Sequence, residues 1–162
     1  MKTLFFTVMI FLTACVSSTN LTNNDYRGVV IGMPVDKALS LLPHFLIDRE
    51  EDSDCYYLHH PEENTDLYIM IIDDTVVRFD VFDKQANIFT QNNIGIGSSK
   101  QDVLKTYQKV KSQPHEYLGE AGEYLEVTLP SGNGLIFETE FDVVGQYRLG
   151  RYPEVQYIEG CL

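Results

Sequence analysis

Residues 29–42 read VVIGMPVDKALSLL, and residues 94–107 read IGIGSSKQDVLKTY. Laid over one another at an offset of 65 residues, Ile31 meets Ile96, Gly32 meets Gly97, Ala38 meets Val103 and Leu39 meets Leu104. Each copy opens with a short apolar run, passes through a glycine and enters a stretch able to start a helix. Pro34 suits the first helical position of the first copy, and Ser98 or Ser99 can cap the second. Val35, Ala38, Leu39 and Leu42 are spaced for one helical face, and Val103, Leu104 and Tyr107 repeat the idea.

Three strand-like segments follow each helix. In the first half they are CYYLHH (55–60), LYIMII (67–72) and VVRFDVF (76–82), the last two joined across Asp73, Asp74 and Thr75, a plausible hairpin turn. In the second half they are EYLEVTL (123–129), GLIFETE (134–140) and VVGQYRLG (143–150). PSGNG separates the first two of these, and its Gly and Asn accept positive φ cheaply. The periods predict an α+β domain of two repeated helix-plus-three-strand units, about 26–85 and 90–162. Six antiparallel strands then form one sheet, with two helices packed on one face.

The chain opens with Met1 and Lys2, then an apolar segment from Leu4 to Leu12 broken by Thr7. One positive charge, a short apolar region and a small-residue exit make a secretory signal over 1–14. The segment is far shorter than the ~20 residues a membrane-crossing helix needs. Leu12-Thr13-Ala14-Cys15 resembles the lipobox of bacterial lipoproteins. That resemblance implies cleavage before Cys15 and diacylglycerol on its thiol, so that Cys15 tethers the protein to a membrane. Two or three acyl chains make a durable anchor where one does not. Val16 after the cysteine, rather than Asp, implies sorting to the outer membrane, with the domain facing the periplasm. Residues 15–25, CVSSTNLTNND, form the lipidated terminus and a flexible leash too polar to offset its ordering entropy. Residues 26–162 are long enough for one domain with a substantial core.

With Cys15 assigned to lipid, Cys55 and Cys161 remain, in a compartment where thiols oxidise, and they are expected to form a disulfide. A zinc site on CYYLHH is disfavoured, because neighbouring histidines on an alternating segment point to opposite faces. The formal charge is −12, and −13 once Lys2 is removed with the leader, leaving 11 bases against 24 acids. Such a chain repels phosphates, which argues against nucleic acid and against a bare anionic bilayer as partners. A basic protein or a cationic ligand remains compatible with it.

The IGMPVDKAL opening and the meander after it also resemble the small outer-membrane lipoproteins associated with barrel assembly. They resemble the tandem-repeat β-lactamase inhibitory proteins as well. Both families act by binding other proteins, and the resemblance implies that mode of action here. It transfers no interface residue. Catalytic signatures are missing: GIGSSK (95–100) lacks phosphate-loop spacing, no GxSxG occurs, and DREEDSD (48–54) lacks the glycine and distal glutamate of a calcium loop. No cofactor is expected. Tyr147, Arg148, Arg151, Tyr152 and Tyr157 form a basic, aromatic stretch in an acidic chain, and are the candidate binding patch. The expectation is a lipid-anchored envelope protein that binds an envelope protein partner and has no catalysis of its own. The alternatives are an inhibitor of a periplasmic or incoming hydrolase, such as a protease or lysozyme, and a glycan-binding envelope protein.

Overall fold

Gly32 and Gly97 both take φ +89°, a conformation that side-chain-bearing residues rarely adopt. Open space surrounds both positions, so backbone conformation and not crowding calls for glycine there. Each turn stitches the start of a helix to a later hairpin. Gly32 N donates to the Val76 carbonyl and Gly97 N to the Val144 carbonyl, both at 2.8 Å. Val76 N returns to the Met33 carbonyl and Val144 N to the Ser98 carbonyl, both at 2.9 Å. Val35 N reaches Asp74 O (2.9 Å) and Lys100 N reaches Asp142 O (2.8 Å). The two segments aligned in the sequence therefore make equivalent backbone contacts.

The computed structural model describes residues 20–51, 53–61, 67–82 and 87–161. In chain order the elements are β1 (Asn20–Leu21), β2 (Asp25–Tyr26), β3 (Val29–Val30), α1 (Val35–Leu41), β4 (Leu46–Asp48) and β5 (Cys55–His59). Then come β6 (Leu67–Ile72), β7 (Thr75–Val81), β8 (Phe89–Thr90), α2 (Lys100–Thr106) and β9 (Lys111–His115). The series closes with β10 (Gly119–Thr128), β11 (Gly134–Glu140), β12 (Val143–Gly150) and a 3-10 turn (Glu154–Gln156). Pro34 precedes α1, and Pro43 follows its end at Leu42. Ser99 and Asp102 form a reciprocal capping box on α2.

The main sheet has eight strands in the order β4-β5-β6-β7-β12-β11-β10-β9, with every neighbouring pair antiparallel. This overturns the expected α+β domain of helix-plus-three-strand units around six strands, because the molecule is mostly sheet. The helices are only seven residues each, and each fully buries one side chain, Ala38 or Val103. The two unanticipated strands are the sheet edges. All three residues of β4 are exposed, as are the first four of β9, and β9 contains Pro114. Exposed strands show no apolar alternation, and proline is tolerated in strands mainly at edges, so neither announces itself in sequence.

One face of the sheet carries the main core. Leu58, Ile69, Phe79, Val81, Leu125, Phe137, Tyr147 and Leu149 are all at most 1% exposed on it. Each such side chain contributes about 1.5–3 kcal/mol by leaving water. Ala38, Leu42, Val103 and Tyr107, from the helical segments, close this core together with Leu21, Tyr26 and Val29. Of the flexible leash expected over 15–25, residues 15–19 lie outside the described residues, and 20–25 instead belong to the fold, since β1 pairs with β8, Leu21 is buried and Asp25 pairs with Val30.

Replacing Gly32 or Gly97 by alanine is expected to lower stability by about 1–2 kcal/mol each, the cost of a left-handed backbone with a Cβ. Asparagine at the same positions should recover most of it. Urea denaturation of the four single variants is the check; alanine variants as stable as the parent would contradict the account.

Candidate functional site

Alternation along β7 and β12 sends Phe79, Val81, Tyr147 and Leu149 to the core and sends Arg78, Asp80 and Arg148 to the opposite face. That face would ordinarily meet water. Here the segment 151–161 crosses it, and Arg78, Asp80 and Arg148 are only 2%, 1% and 6% exposed. Val155, fully buried, packs with Tyr124, Ile136 and Tyr152 in a second, smaller apolar cluster. Cys161 is disulfide-bonded to Cys55 on β5, 106 residues away, so the end of the tail is fastened to the first half of the sheet.

The buried charges hold one another and the tail. Arg78 Nε pairs with Asp80 Oδ2 at 2.9 Å. Arg78 Nη1 donates to the carbonyls of Glu154 and Tyr157, both at 2.8 Å, and Nη2 donates to the Tyr57 hydroxyl at 3.2 Å. Arg148 lies opposite Asp80 across the β7–β12 seam. Its Nε donates to the Val155 carbonyl at 2.6 Å, and its Nη1 pairs with Glu138. Burial pushes the Asp80 carboxyl upward, opposed by Arg78 and then Arg148. Burial, reinforced by repulsion from Arg78, lowers the Arg148 guanidinium to about 10, which leaves it charged at neutral pH.

Glu138 is the convergence point. Besides Arg148 it receives Gln146 Nε2 at 2.5 Å and His115 Nε2 at 3.1 Å. His115 Nδ1 accepts from the backbone N–H groups of Tyr117 (3.2 Å) and Leu118 (3.4 Å). These acceptor contacts assign the proton to Nε2, so a neutral imidazole donates to Glu138. Burial lowers the His115 pKa, Arg148 lowers it further and Glu140 partly offsets both. The ring stacks on Tyr124 with centroids 4.5 Å apart, and the Arg148 guanidinium lies 5.7 Å from the centre of that same Tyr124 ring. Both imidazole nitrogens are thus engaged. The arrangement orients a turn and a tail, with the Tyr124 hydroxyl 3.5 Å from His115 Nδ1. Among the described residues no group of three or more His, Cys, Asp and Glu side chains is arranged to hold a metal.

The candidate patch does not assemble. Tyr147 is buried in the core with its hydroxyl on the Ile88 carbonyl (2.8 Å), and Arg148 points the other way into the charge network. Arg151 is half exposed and bound to Glu154 at 2.7 Å. The Tyr152 hydroxyl donates to Glu126 at 2.8 Å, while Tyr157 is 42% exposed. Adjacent strand residues face opposite ways, which splits any patch read as consecutive sequence. Arg78, Asp80, His115 and Glu138 were not anticipated. The available signal was Arg78 and Asp80 two apart in an otherwise apolar strand, which places opposite charges side by side on one face. Cys15 and the leader 1–14 lie outside the described residues.

Several clefts flank the second half of the sheet, one of them, about 200 Å³, beside Tyr124, Glu126 and Arg148. A cleft of about 210 Å³ is lined by His115, Leu118, Glu138 and Gln146, among others. A larger one, about 450 Å³, opens beside the 141–142 turn and is lined by Lys100, Glu120, Glu123, Thr139, Phe141 and Asp142, among others. In the latter the Lys100 ammonium pairs with Glu123 and lies 3.6 Å from Asp142. Glu123 foremost, with Asp142, raises the Lys100 pKa.

No protein-family model matches the chain, and no curated protein matches it by sequence. Two solved structures are similar in fold. An extracellular protein containing a SCP domain from Bacillus anthracis str. Ames is 12% identical with a TM-score of 0.53, over 89% of this chain and 50% of that one. The uncharacterized protein yfeY from Escherichia coli is 12% identical with a TM-score of 0.52, over 82% of this chain and 100% of that one. The chain thus spans half the length of the Bacillus protein. Identity this low shows a shared fold and nothing further.

Two outcomes follow from the tail and its network. Replacing Cys55 and Cys161 together by serine should cost about 2–5 kcal/mol in urea denaturation, given the long loop the bridge closes. His115, with its folded pKa below the unfolded value near 6.5, takes up its proton more readily in the unfolded chain. Its contribution to stability is therefore fully present above about pH 6.5, and is lost as the pH falls from there toward the folded pKa. Urea midpoints at pH 7.5 and 5.5 should show a drop in the parent that the His115→Gln variant lacks; equal drops would remove His115 from the explanation.

Proposed function

We propose that this chain is a lipid-anchored cell-envelope protein that works as a protein-binding module and performs no catalysis of its own. The observation that carries the reading is the cysteine inventory. Cys55 and Cys161 are joined to each other, which leaves Cys15, at the end of Leu12-Thr13-Ala14-Cys15, as the thiol for lipid. The bridge suits an oxidising compartment. An envelope location is compatible with the Bacillus structural neighbour, which is an extracellular protein. Among the described residues no helix is long and apolar enough to cross a membrane. A lipid anchor would supply membrane attachment, and Val16 supports placement at the outer membrane facing the periplasm.

The non-catalytic part of the proposal draws on the site chemistry. The buried polar constellation around Glu138 spends its hydrogen-bonding capacity within the fold, on the tail and on the 116–118 turn. Protein binding is the mode of action implied by the resemblance to barrel-assembly lipoproteins and to tandem-repeat inhibitory proteins. The acidic surface points to a basic partner.

Metabolic labelling with an alkyne fatty acid in a diderm bacterial host, followed by membrane fractionation, tests the anchor. The parent should be labelled and recovered with the outer membrane, and Cys15→Ala should lose both label and membrane association. An unlabelled parent would overturn the reading.

A further inference from the structure

The turns joining β6 to β7 and β11 to β12 have the same backbone. Asp73 and Asp74 take φ +49° and +54°, and Phe141 and Asp142 take +48° and +63°. Each turn also receives the first helical N–H of its own half, through Asp74 O and Asp142 O. Aspartate tolerates the left-handed region because it is short and polar; a bulky side chain does not. Phe141 is nevertheless placed there, and it is 76% exposed, so its ring gives the core almost nothing. An aromatic group held in an unfavourable conformation and left in water contributes little to folding. It is available for contact.

Its surroundings define what it can contact. Phe141 N bonds Ala121 O at 2.8 Å and Ala121 N bonds Leu118 O at 3.1 Å, which brings the 116–118 turn to the same end of the sheet. There Tyr117 is 65% exposed. Between the turns opens the 450 Å³ cleft, whose charged lining is one ammonium, Lys100, against Glu120, Glu123 and Asp142. Lys100 is engaged with Glu123 and Asp142, and the Asp142 side chain remains 79% exposed. Excess negative charge beside an open aromatic face disfavours phosphate, anionic lipid and a second copy of this acidic chain. It suits a guanidinium, which can pair with carboxylates in its plane and stack on the ring.

We infer that the end of the sheet carrying Phe141, Glu120 and Asp142 docks an arginine side chain presented by a basic protein partner. The inference rests on the protein-binding reading above and gives it a surface and a partner chemistry. The 450 Å³ cleft accepts the guanidinium, Glu120 and Asp142 pair with it, and Phe141 covers it from the lip.

Hexa-arginine and hexa-lysine serve as probes, titrated into the full chain in detergent at physiological ionic strength, with binding read by calorimetry and by amide chemical shifts. Hexa-arginine should bind about fivefold or more tighter than hexa-lysine, with shifts concentrated at 120–123 and 139–142. Phe141→Asn should erase the preference for arginine while leaving the thermal midpoint unchanged or raised. The double variant Glu120→Gln/Asp142→Asn should weaken hexa-arginine about tenfold, and the charge-matched control Asp48→Asn/Glu50→Gln less than twofold. Equal losses in both double variants, equal affinity for the two peptides, or shifts centred on 48–54 would each overturn the inference as simple polyelectrolyte attraction. Since the probes need no membrane, an unlabelled Cys15 with intact binding here would remove the anchor alone.

Discussion

Two guanidinium groups sit out of water on the strands where the halves of the sheet meet, and the tail's position depends on them. Arg78 on β7 and Arg148 on β12 would each cost several kcal/mol to bury bare. Asp80 and Glu138 balance their charge, and the carbonyls of Glu154, Val155 and Tyr157 take up remaining donors. Desolvation and attraction largely cancel in such clusters, so the network adds little net stability. Its effect lies in discrimination. A tail displaced by one residue would leave a guanidinium short of acceptors, so the arginines select one path for 151–161, and the Cys55–Cys161 bridge closes it.

The same asymmetry explains what sequence could and could not disclose. Strands such as 67–72 and 134–140 are legible because short runs rich in apolar residues, bounded by turn residues, record burial, here on more than one face. The turn at Asp73–Asp74 and the glycine turns at 32 and 97 are legible because positive φ restricts residue type. Edge strands Leu46–Asp48 and Lys111–His115 carry no such record, since their side chains are mostly in water, and without them the sheet is undercounted. Helices of seven residues are too short to form the covering layer that their periodicity suggests; Pro43 truncates one, and strands dominate the architecture.

The site was less legible than the fold for a related reason. Arginine near tyrosine in VVGQYRLGRY suggests an exposed basic surface only if nothing lies over it. The groups that bury Arg148 come from far away in sequence: Asp80 from the first half, Glu138 from β11 and the Val155 carbonyl from the tail. No local pattern announces such a cover. His115 is equally hidden, because its role comes from two backbone amides in the next turn and a carboxylate 23 residues later.

The buried network also shapes how the surface is seen from outside. It withdraws two of the 12 basic and two of the 24 acidic side chains, so it leaves the net charge of −12 unchanged while removing bases from a surface that has few. The net negative charge draws basic molecules, yet at physiological salt its field decays within about 8 Å. Over such a distance the field can draw a basic molecule close and cannot tell one acidic loop from another. Selection among the loops must come from contacts made after arrival. Asp48 and Glu50 offer carboxylates in open solvent, whereas the 141–142 turn offers carboxylates beside an exposed ring and a cleft, a combination that distinguishes a planar guanidinium from a compact ammonium.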